Sequence, residues 1–151
     1  MSADFKKLLS KQAGEIKRPP VQPAGTWFGN ITQYKFQESR WDKKDSPGEK
    51  EAQVSFVIKT SEAGPDVDSE AASPFIGRSV SQEFSIEDGQ EWPLRMFLEG
   101  LGLDVQGKTL DVLIPEVVNA QVQYVIEHTP NKNDPEVVYA NVRQVRARAN
   151  D

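Results

Sequence analysis

The sequence predicts a mainly β domain in which three strands, one helix and two further strands follow one another. Three observations predict this order. Apolar and polar residues alternate in five segments, an apolar stripe of helical period lies between the third and fourth of them, and turn-forming residues separate the segments. The order matches a five-stranded Greek-key barrel of the OB type, with one helix between strands 3 and 4. An open α+β sheet has the same elements and stays an alternative.

The beginning of the chain is predicted to form an arm outside the barrel. Residues 2–13 have the pattern of a short amphipathic helix. Three prolines in residues 17–25 then favour a stiff, extended linker. We therefore divide the chain into an N-terminal arm with a short helix and a proline-rich linker, residues 1–25, and one domain, residues 26–151.

The first three strands are predicted from alternating side chains. They cover about residues 26–37, 53–60 and 77–86. Residues 38–50 are polar and turn-rich, so we expect a loop between the first two strands. Residues 61–74 hold four acids and no cation, which is typical of a solvated excursion between the second and third strands.

The helix and the last two strands complete the predicted order. Residues 87–103 contain a proline that suits a first helical turn and a stripe of Leu and Phe at helical spacing. Residues 103–118 are ambiguous between loop, strand and short helix, because Pro115 interrupts any long element. Residues 120–128 and 136–147 alternate on either side of a turn-rich loop and are expected to form a hairpin.

The residue types argue against an enzyme. The sequence has no cysteine and one histidine, His128, so a thiolate metal site is excluded and a catalytic triad has a single candidate base. No phosphate-binding loop or nucleophile-elbow motif occurs. Asp66, Asp68 and Glu70 resemble part of a calcium loop but lack its sixth-position glycine and its terminal glutamate. We expect no catalytic residues, no metal and no cofactor.

The net charge of −5 hides a division along the chain. Residues 1–50 carry a net charge of +4 and residues 51–151 a net charge of −9, with most of the excess acid in residues 61–116. The local field matters more than the net charge when a polyanion binds. An acidic total therefore does not exclude a nucleic acid as the ligand.

The sequence also bears on the expected location of the protein. No apolar run approaches the roughly 20 residues that a membrane-spanning helix needs, and the N-terminus lacks the pattern of a signal peptide. The absence of cysteine permits life in a reducing compartment. We expect a cytoplasmic protein that does not contact a membrane.

Aromatic and cationic residues occur together in the first and last strands. Rings can stack on the bases of a single-stranded nucleic acid while cations neutralise its phosphates. Tyr34 and Phe36 share a parity that Lys35 does not, so either the rings or the lysine face the ligand unless a bulge intervenes. In the last strand, Tyr139 and Arg143 project outward together if the intervening Val and Ala residues fill the core. The predicted DNA-contacting residues are Tyr34, Lys35, Phe36, Arg40, Trp41, Lys43, Lys44, Lys59, Arg78, Tyr139 and Arg143. Four other rings fall in apolar patterns and are expected to be structural: Phe56, Phe84, Trp92 and Phe97.

Several strings taken together resemble a family. They are GTWFGNI after the proline-rich arm, GRSVSQEF in the third strand, WPLRMFLEGLGL in the helix and VYANVRQVRA in the closing hairpin. In this combination the chain resembles the OB-fold single-stranded DNA-binding proteins that bacteriophages encode. The resemblance implies binding of single-stranded DNA without a sequence code, in support of replication, recombination and repair enzymes in the host cytoplasm. Many such proteins end in an acidic tail that recruits partners, whereas this chain ends RQVRARAND, so the resemblance does not extend to recruitment through the C-terminus.

A second class of function stays open at this point. The chain could be a non-enzymatic protein-interaction or structural barrel, such as a virion or assembly component, and either class could form a homo-oligomer. The aromatic and basic strands favour DNA, while the net acidity favours the alternative. We also formulate the hypothesis that the acidic residues 61–74 compete weakly with DNA for the basic surface.

Overall fold

The structure is a computed structural model that describes residues 5–15, 20–43, 46–134 and 136–149, with the backbone alone at positions 15, 41 and 46. Within these ranges the chain forms five strands and four short helices. The strands are β1 (Gly25–Lys43), β2 (Ser46–Ala63), β3 (Ser79–Ser85), β4 (Gln121–Pro130) and β5 (Val138–Ala147). The helices are α1 (Phe5–Leu9), α2 (Ser69–Ala72), α3 (Trp92–Gly100) and α4 (Leu110–Glu116).

The five strands form one antiparallel sheet in the order β3-β2-β1-β4-β5. The prediction of a mainly β fold is therefore confirmed. β1 is the central strand and pairs with β2 along most of its length, but with β4 only over residues 25–30. In the part of the chain that the structure describes, β3 and β5 are the two edges and do not pair with each other. The sheet is open, so the predicted closure into a barrel is not seen.

Two helices, rather than the single predicted one, connect β3 to β4. α3 lies where the apolar stripe predicts a helix, and it buries Leu94, Phe97 and Leu98. α4 lies in residues 103–118, which the sequence left ambiguous. Its Pro115 lies in the last turn, where the missing N–H removes one i→i−4 hydrogen bond, and the helix ends at the next residue. A proline at this position ends the helix without preventing it.

The first two strands are longer than predicted, and residues 38–43 and 46–50 form paired strands where a loop was expected. Polar pairs across the ladder stabilise this extension. Lys50 Nζ lies 2.5 Å from Asp42 Oδ1 and donates to the Arg40 carbonyl oxygen at 3.3 Å. An alternation signal needs one buried face, which this exposed ladder lacks. We call residues 38–43 and 46–50 the hairpin arm.

A β-bulge in β1 changes which of its side chains point to the core. The register with β2 shifts by one residue between Ile31 and Gln33. Trp27 and Ile31 are buried before the bulge, and Tyr34 packs against the core after it. Odd-numbered residues therefore point inward in the first part of β1 and even-numbered residues in the second part.

The acidic stretch 61–74 belongs to the folded body, which corrects the prediction of a solvated excursion. Val67 and Ala72 are buried in the core. The Asp66 carboxylate accepts the backbone N–H of Thr26 at 3.0 Å and its hydroxyl at 3.1 Å. Asp68 caps α2 by accepting a backbone N–H at 3.1 Å. Two of the four acids thus serve local structure, which composition alone does not reveal.

The core lies between the inner face of the sheet and helices α3 and α4. Its ring contacts include Phe56 with Phe97, whose centroids are 4.9 Å apart, and Phe84 with Phe97 at 4.8 Å. Trp92 was predicted to be structural, but it is the first residue of α3 and 62% of it is exposed. The largest fully buried side chains are Trp27, Tyr124, Phe56, Ile31, Ile58, Leu94, Leu98, Leu113, Ile114, Ile126, Val54 and Val117.

The end of the N-terminal arm is attached to the sheet. Gln22 is buried and donates to the Tyr124 hydroxyl at 2.9 Å, while Pro23 accepts the indole N–H of Trp27 at 3.0 Å. The predicted helix is present as α1, which covers Phe5–Leu9 of the predicted residues 2–13 and buries none of its side chains. Residues 1–4 and 16–19 lie outside the described residues.

Candidate nucleic-acid interface

The face of β1, β2 and β3 that points away from the core is built from short cross-strand rows. Because strand partners share a face, each row holds one residue from each strand. We call this surface the outer face. Its rows are Asn30–Lys59–Ser79, Gln33–Val57–Ser81, Lys35–Ser55–Glu83 and Gln37–Gln53–Ser85.

The outer face is polar and carries a small excess of positive charge. Lys35 and Lys59 are exposed, and neither forms an ion pair with a residue that the structure describes. Glu83 is the one carboxylate in the four rows. The remaining side chains are almost all amides and hydroxyls, which offer donors to phosphate oxygens and both donors and acceptors to base edges. Such a surface can hold a polyanion without selecting one sequence.

The outward side chains of β5 add a ring and a guanidinium. Tyr139 is 46% exposed, and its hydroxyl accepts the Asn131 amide at 2.8 Å. Arg143 is exposed, with its Nε 3.8 Å from Glu127. Ala140 and Val142 pack against the core, so the predicted assignment of the two faces of this strand is confirmed.

A cleft connects the outer face to β5. It lies between the two unpaired edges of the sheet and has a volume of about 460 Å³. Ser81 and Glu83 line it from β3, and Asn141 and Arg143 line it from β5. The cations of the outer face and the guanidinium of β5 therefore belong to one continuous polar surface.

The rings of β1 lie on the opposite side of the sheet from Lys35. Tyr34 is half-buried and packs against the core, and Phe36 is 55% exposed beyond the edge of the core. Their ring centroids are 5.7 Å apart in an edge-to-face contact. The bulge in β1 leaves Tyr34 and Phe36 on the inner parity, so the rings and Lys35 do not meet one ligand on one face.

The cations predicted to contact DNA from residues 38–50 differ in their surroundings. Lys43 Nζ lies 2.8 Å from Glu87 Oε1, in the segment that leads to α3. This contact raises the pKa of Lys43 and lowers the pKa of Glu87. The charge of Lys43 is therefore largely neutralised. Arg40 is exposed. The Trp41 side chain and Lys44 lie outside the described part of the chain.

Arg78 and Lys59 lie near the beginning of β3. Arg78 is exposed, and its guanidinium carbon is 5.2 Å from the centroid of the Phe75 ring. Lys59 pairs with Ser79, the residue that follows Arg78. Arg78 lies across from the buried Thr60 and has the parity opposite to Ser79, so its contacts do not place it on the outer face.

A cation–ring contact just after β5 was not predicted from the sequence. Arg148 places its guanidinium carbon 4.2 Å from the centroid of the Phe28 ring and its Nη2 2.5 Å from Glu62 Oε1. The opposite parity of Phe28 and Trp27 indicates an outward ring. The contact between Arg148 and Phe28 depends on the path of the chain after β5. No local sequence pattern predicts that path.

The only histidine has a structural contact. His128 Nε2 lies 2.7 Å from the Gln22 carbonyl oxygen, and because that oxygen can only accept, the ring nitrogen donates. Among the described residues, no three His, Cys, Asp or Glu side chains come together as a metal site would require. The helices that the structure describes include none with the length and apolar content to span a bilayer.

Comparison with known proteins does not assign the chain to a family. The protein-family models contain no match to the sequence, and the curated proteins contain none either. The function is therefore inferred from the surface of the molecule.

Proposed function

We propose that this protein binds single-stranded DNA without sequence preference, through the outer face of β1–β3 and across the cleft to β5. The observation that carries the proposal is the cleft itself. It lies between Ser81 and Glu83 on one side and Asn141 and Arg143 on the other, and so joins the lysine-bearing face to the strand that exposes Tyr139.

The chemistry of this surface favours a single strand over a duplex. Stacking on an aromatic ring needs an exposed base, and duplex bases hide their faces within the helix. Tyr139 offers such a ring, while Lys35, Lys59 and Arg143 offer positive charge along the path of a phosphate backbone. Amides and hydroxyls in the rows between them bond any base, which supports binding without a sequence code.

The strand order supports an OB-type barrel as the underlying fold. An OB barrel is a five-stranded Greek-key barrel that is only partly closed, and the order β3-β2-β1-β4-β5 becomes such a barrel when β3 meets β5. Here both edges line the same cleft. We propose that closure along this seam gives the OB architecture, with α3 packed against β3 and β5 at one end.

The net charge of −5 is compatible with the proposal because the acids lie elsewhere. Most of them fall in residues 61–116, where Asp66 and Asp68 serve local hydrogen bonds. On the outer face itself, two lysines stand against Glu83. A DNA strand responds to the local field within about 8 Å at physiological salt. The charge of the outer face therefore determines whether the strand is attracted, and the net charge of the chain does not.

In the same proposal, the protein protects single-stranded DNA and supports enzymes of replication, recombination and repair. Its location is then the cytoplasm, and the host cytoplasm if a phage encodes it.

The alternative, a protein-interaction or structural barrel, has its own support in the exposed Trp92 and Met96 of α3. A protein with that role alone would not distinguish a single strand from a duplex.

A binding titration tests the proposal. We expect a labelled oligo-dT of about 20 nucleotides to bind more tightly than a duplex of the same length, because only the single strand presents base faces. The affinity falls as salt rises, with a log–log slope of about −0.7 for each phosphate contacted. Fluorescence anisotropy from about 50 to 300 mM salt measures both. Equal affinity for the two forms, or no binding at the lowest salt, contradicts the proposal.

A further inference from the structure

Two apolar helix faces are exposed in this chain at the same time. In α1, Phe5 is 68% exposed and Leu9 is 81% exposed, and Leu8 lies beside them. In α3, Trp92 and Met96 are both exposed. The spacings i, i+3, i+4 in α1 and i, i+4 in α3 place each set on one side of its helix. We call them the α1 face and the α3 face.

A cleft beside the α3 face has room for one aromatic side chain. It lies between α3 and the sheet and has a volume of about 200 Å³. An engineered apolar cavity of about 150 Å³ holds a benzene ring, so a phenylalanine ring fits this cleft. Its lining residues are Gln82, Phe84, Pro93, Met96, Phe97, Gln144 and Val145.

The charges around the two faces are complementary. Residues 5–15 contain three lysines and one glutamate, a net charge of +2. Residues 87–104 contain five acids and Arg95, a net charge of −4. Two of these acids are already paired, Glu99 with Arg95 at 2.9 Å and Glu87 with Lys43 at 2.8 Å. Asp88 and Glu91 form no ion pair with a described residue.

We propose that the α1 face of one copy of this protein docks on the α3 face of a second copy, with Phe5 in the cleft beside Met96. Lysines of the docked α1 then lie against the acidic surroundings of α3. The partner is a second copy because both faces are exposed within one chain. They stay exposed although only residues 16–21 separate the α1 region from Gln22, which is bonded to the sheet through Tyr124. The contact is heterologous, so it links copies head to tail.

The mass of the full-length protein without DNA tests this proposal. Because the docked surface is small, we expect weak association, which appears over roughly 10–500 µM. Sedimentation velocity should show an average mass that rises with concentration from the monomer mass of 16.9 kDa. Phe5→Asp and Met96→Glu should each hold the mass at the monomer value over the whole range. Ile76→Glu, at an exposed apolar residue outside both faces, is the matched control and should associate like the wild type.

A mixture of the two inactive variants separates docking between copies from docking within one chain. Phe5→Asp keeps an intact α3 face and Met96→Glu keeps an intact α1 face, so the mixture should form a dimer of one copy of each and nothing larger. Circular dichroism checks that both are folded, as expected for exposed positions. A wild type that stays monomeric at all concentrations overturns the proposal, whether α1 docks within its own chain or on another protein. A mixture that stays monomeric overturns it too.

Discussion

Tyr139 and Lys59 illustrate how single side chains determine what this surface can bind. Both point away from the core, on strands whose alternate residues are buried or pack against the core. Their removal therefore changes the surface while leaving the packing intact. Phe56 is the contrasting case, because it is fully buried and contacts the rings of Phe84 and Phe97.

Replacement of Tyr139 separates binding from stability. Tyr139→Ala should weaken binding to oligo-dT by about 1–3 kcal/mol, the contribution of one stacked base, with a nearly unchanged melting temperature. Phe56→Ala is the control in the other direction and should lower the free energy of unfolding by roughly 3–5 kcal/mol. Anisotropy and thermal melts measure the two quantities. If Tyr139→Ala unfolds the protein, or binds like the wild type, this ring has been assigned the wrong role.

The two lysines of the outer face should determine part of the salt dependence. In the double variant Lys35→Gln, Lys59→Gln, the log–log slope of affinity against salt should become shallower by about 0.7 for each phosphate that the protein no longer neutralises. Lys108→Gln removes one positive charge from an exposed position between α3 and α4 and should leave the slope unchanged. Equal slopes for the double variant and the wild type would place the phosphates on another surface.

At the scale of the elements, irregularities decide which faces are presented. The bulge after Ile31 places Tyr34 and Phe36 on the inner parity of β1, where Tyr34 packs against the core and Phe36 stays exposed. In β5, Gln144 has a φ of 52° where the register with β4 shifts, and Val145 again packs against the core. A positive φ at a residue other than glycine is uncommon, so this second bulge could not be predicted from the residue types.

The hairpin arm should be attached to the body in a pH-dependent manner. The hydrogen bond from Lys43 lowers the pKa of Glu87 below the ordinary value for a glutamate. A lowered folded-state pKa of a carboxyl group means that its stabilisation is present above the unfolded-state pKa and is lost as the pH falls through the folded value. Glu87→Gln should therefore lower the melting temperature at about pH 6, and the difference from the wild type should disappear towards about pH 3.

The ion pair between Lys43 and Glu87 also provides the control for this prediction. Lys43→Gln removes the other partner and should reproduce the loss of stability near neutral pH. Thermal melts of the three proteins across this pH range give the comparison. A difference between Glu87→Gln and the wild type that is constant at all pH values would mean that the charge of Glu87 plays no part in holding the arm.

At the scale of the whole molecule, local patterns predicted the strands that have one buried face. The other parts of the fold depend on pairing between residues that are distant in the sequence. The alternation around Phe56 and Ile58 is a local signal, and it correctly placed the centre of β2. The hairpin arm has no buried face, so its pairing could not be predicted from alternation. Folding of the acidic segment around Val67 depends on bonds from Asp66 to Thr26, 40 residues away in the chain.

The candidate site was predictable to a similar degree. The outward pair Tyr139 and Arg143 followed from the parity of one strand. The grouping of the cations could not be predicted from parity, because the cleft that joins Arg143 to Ser81 forms between strands that are distant in the sequence. The neutralisation of Lys43 by Glu87 likewise depends on tertiary structure.

Binding of single-stranded DNA across the outer face and the cleft to β5 can be tested residue by residue, with backbone amide NMR spectra recorded during a titration. The chain mass of 16.9 kDa suits this measurement. As a short oligo-dT is added, we expect shifts concentrated at the amides of Lys35, Lys59, Ser81, Tyr139 and Arg143, with α3 and α4 little changed. Shifts confined to α3, or no shifts at an oligonucleotide excess at low salt, would show that DNA does not bind this surface.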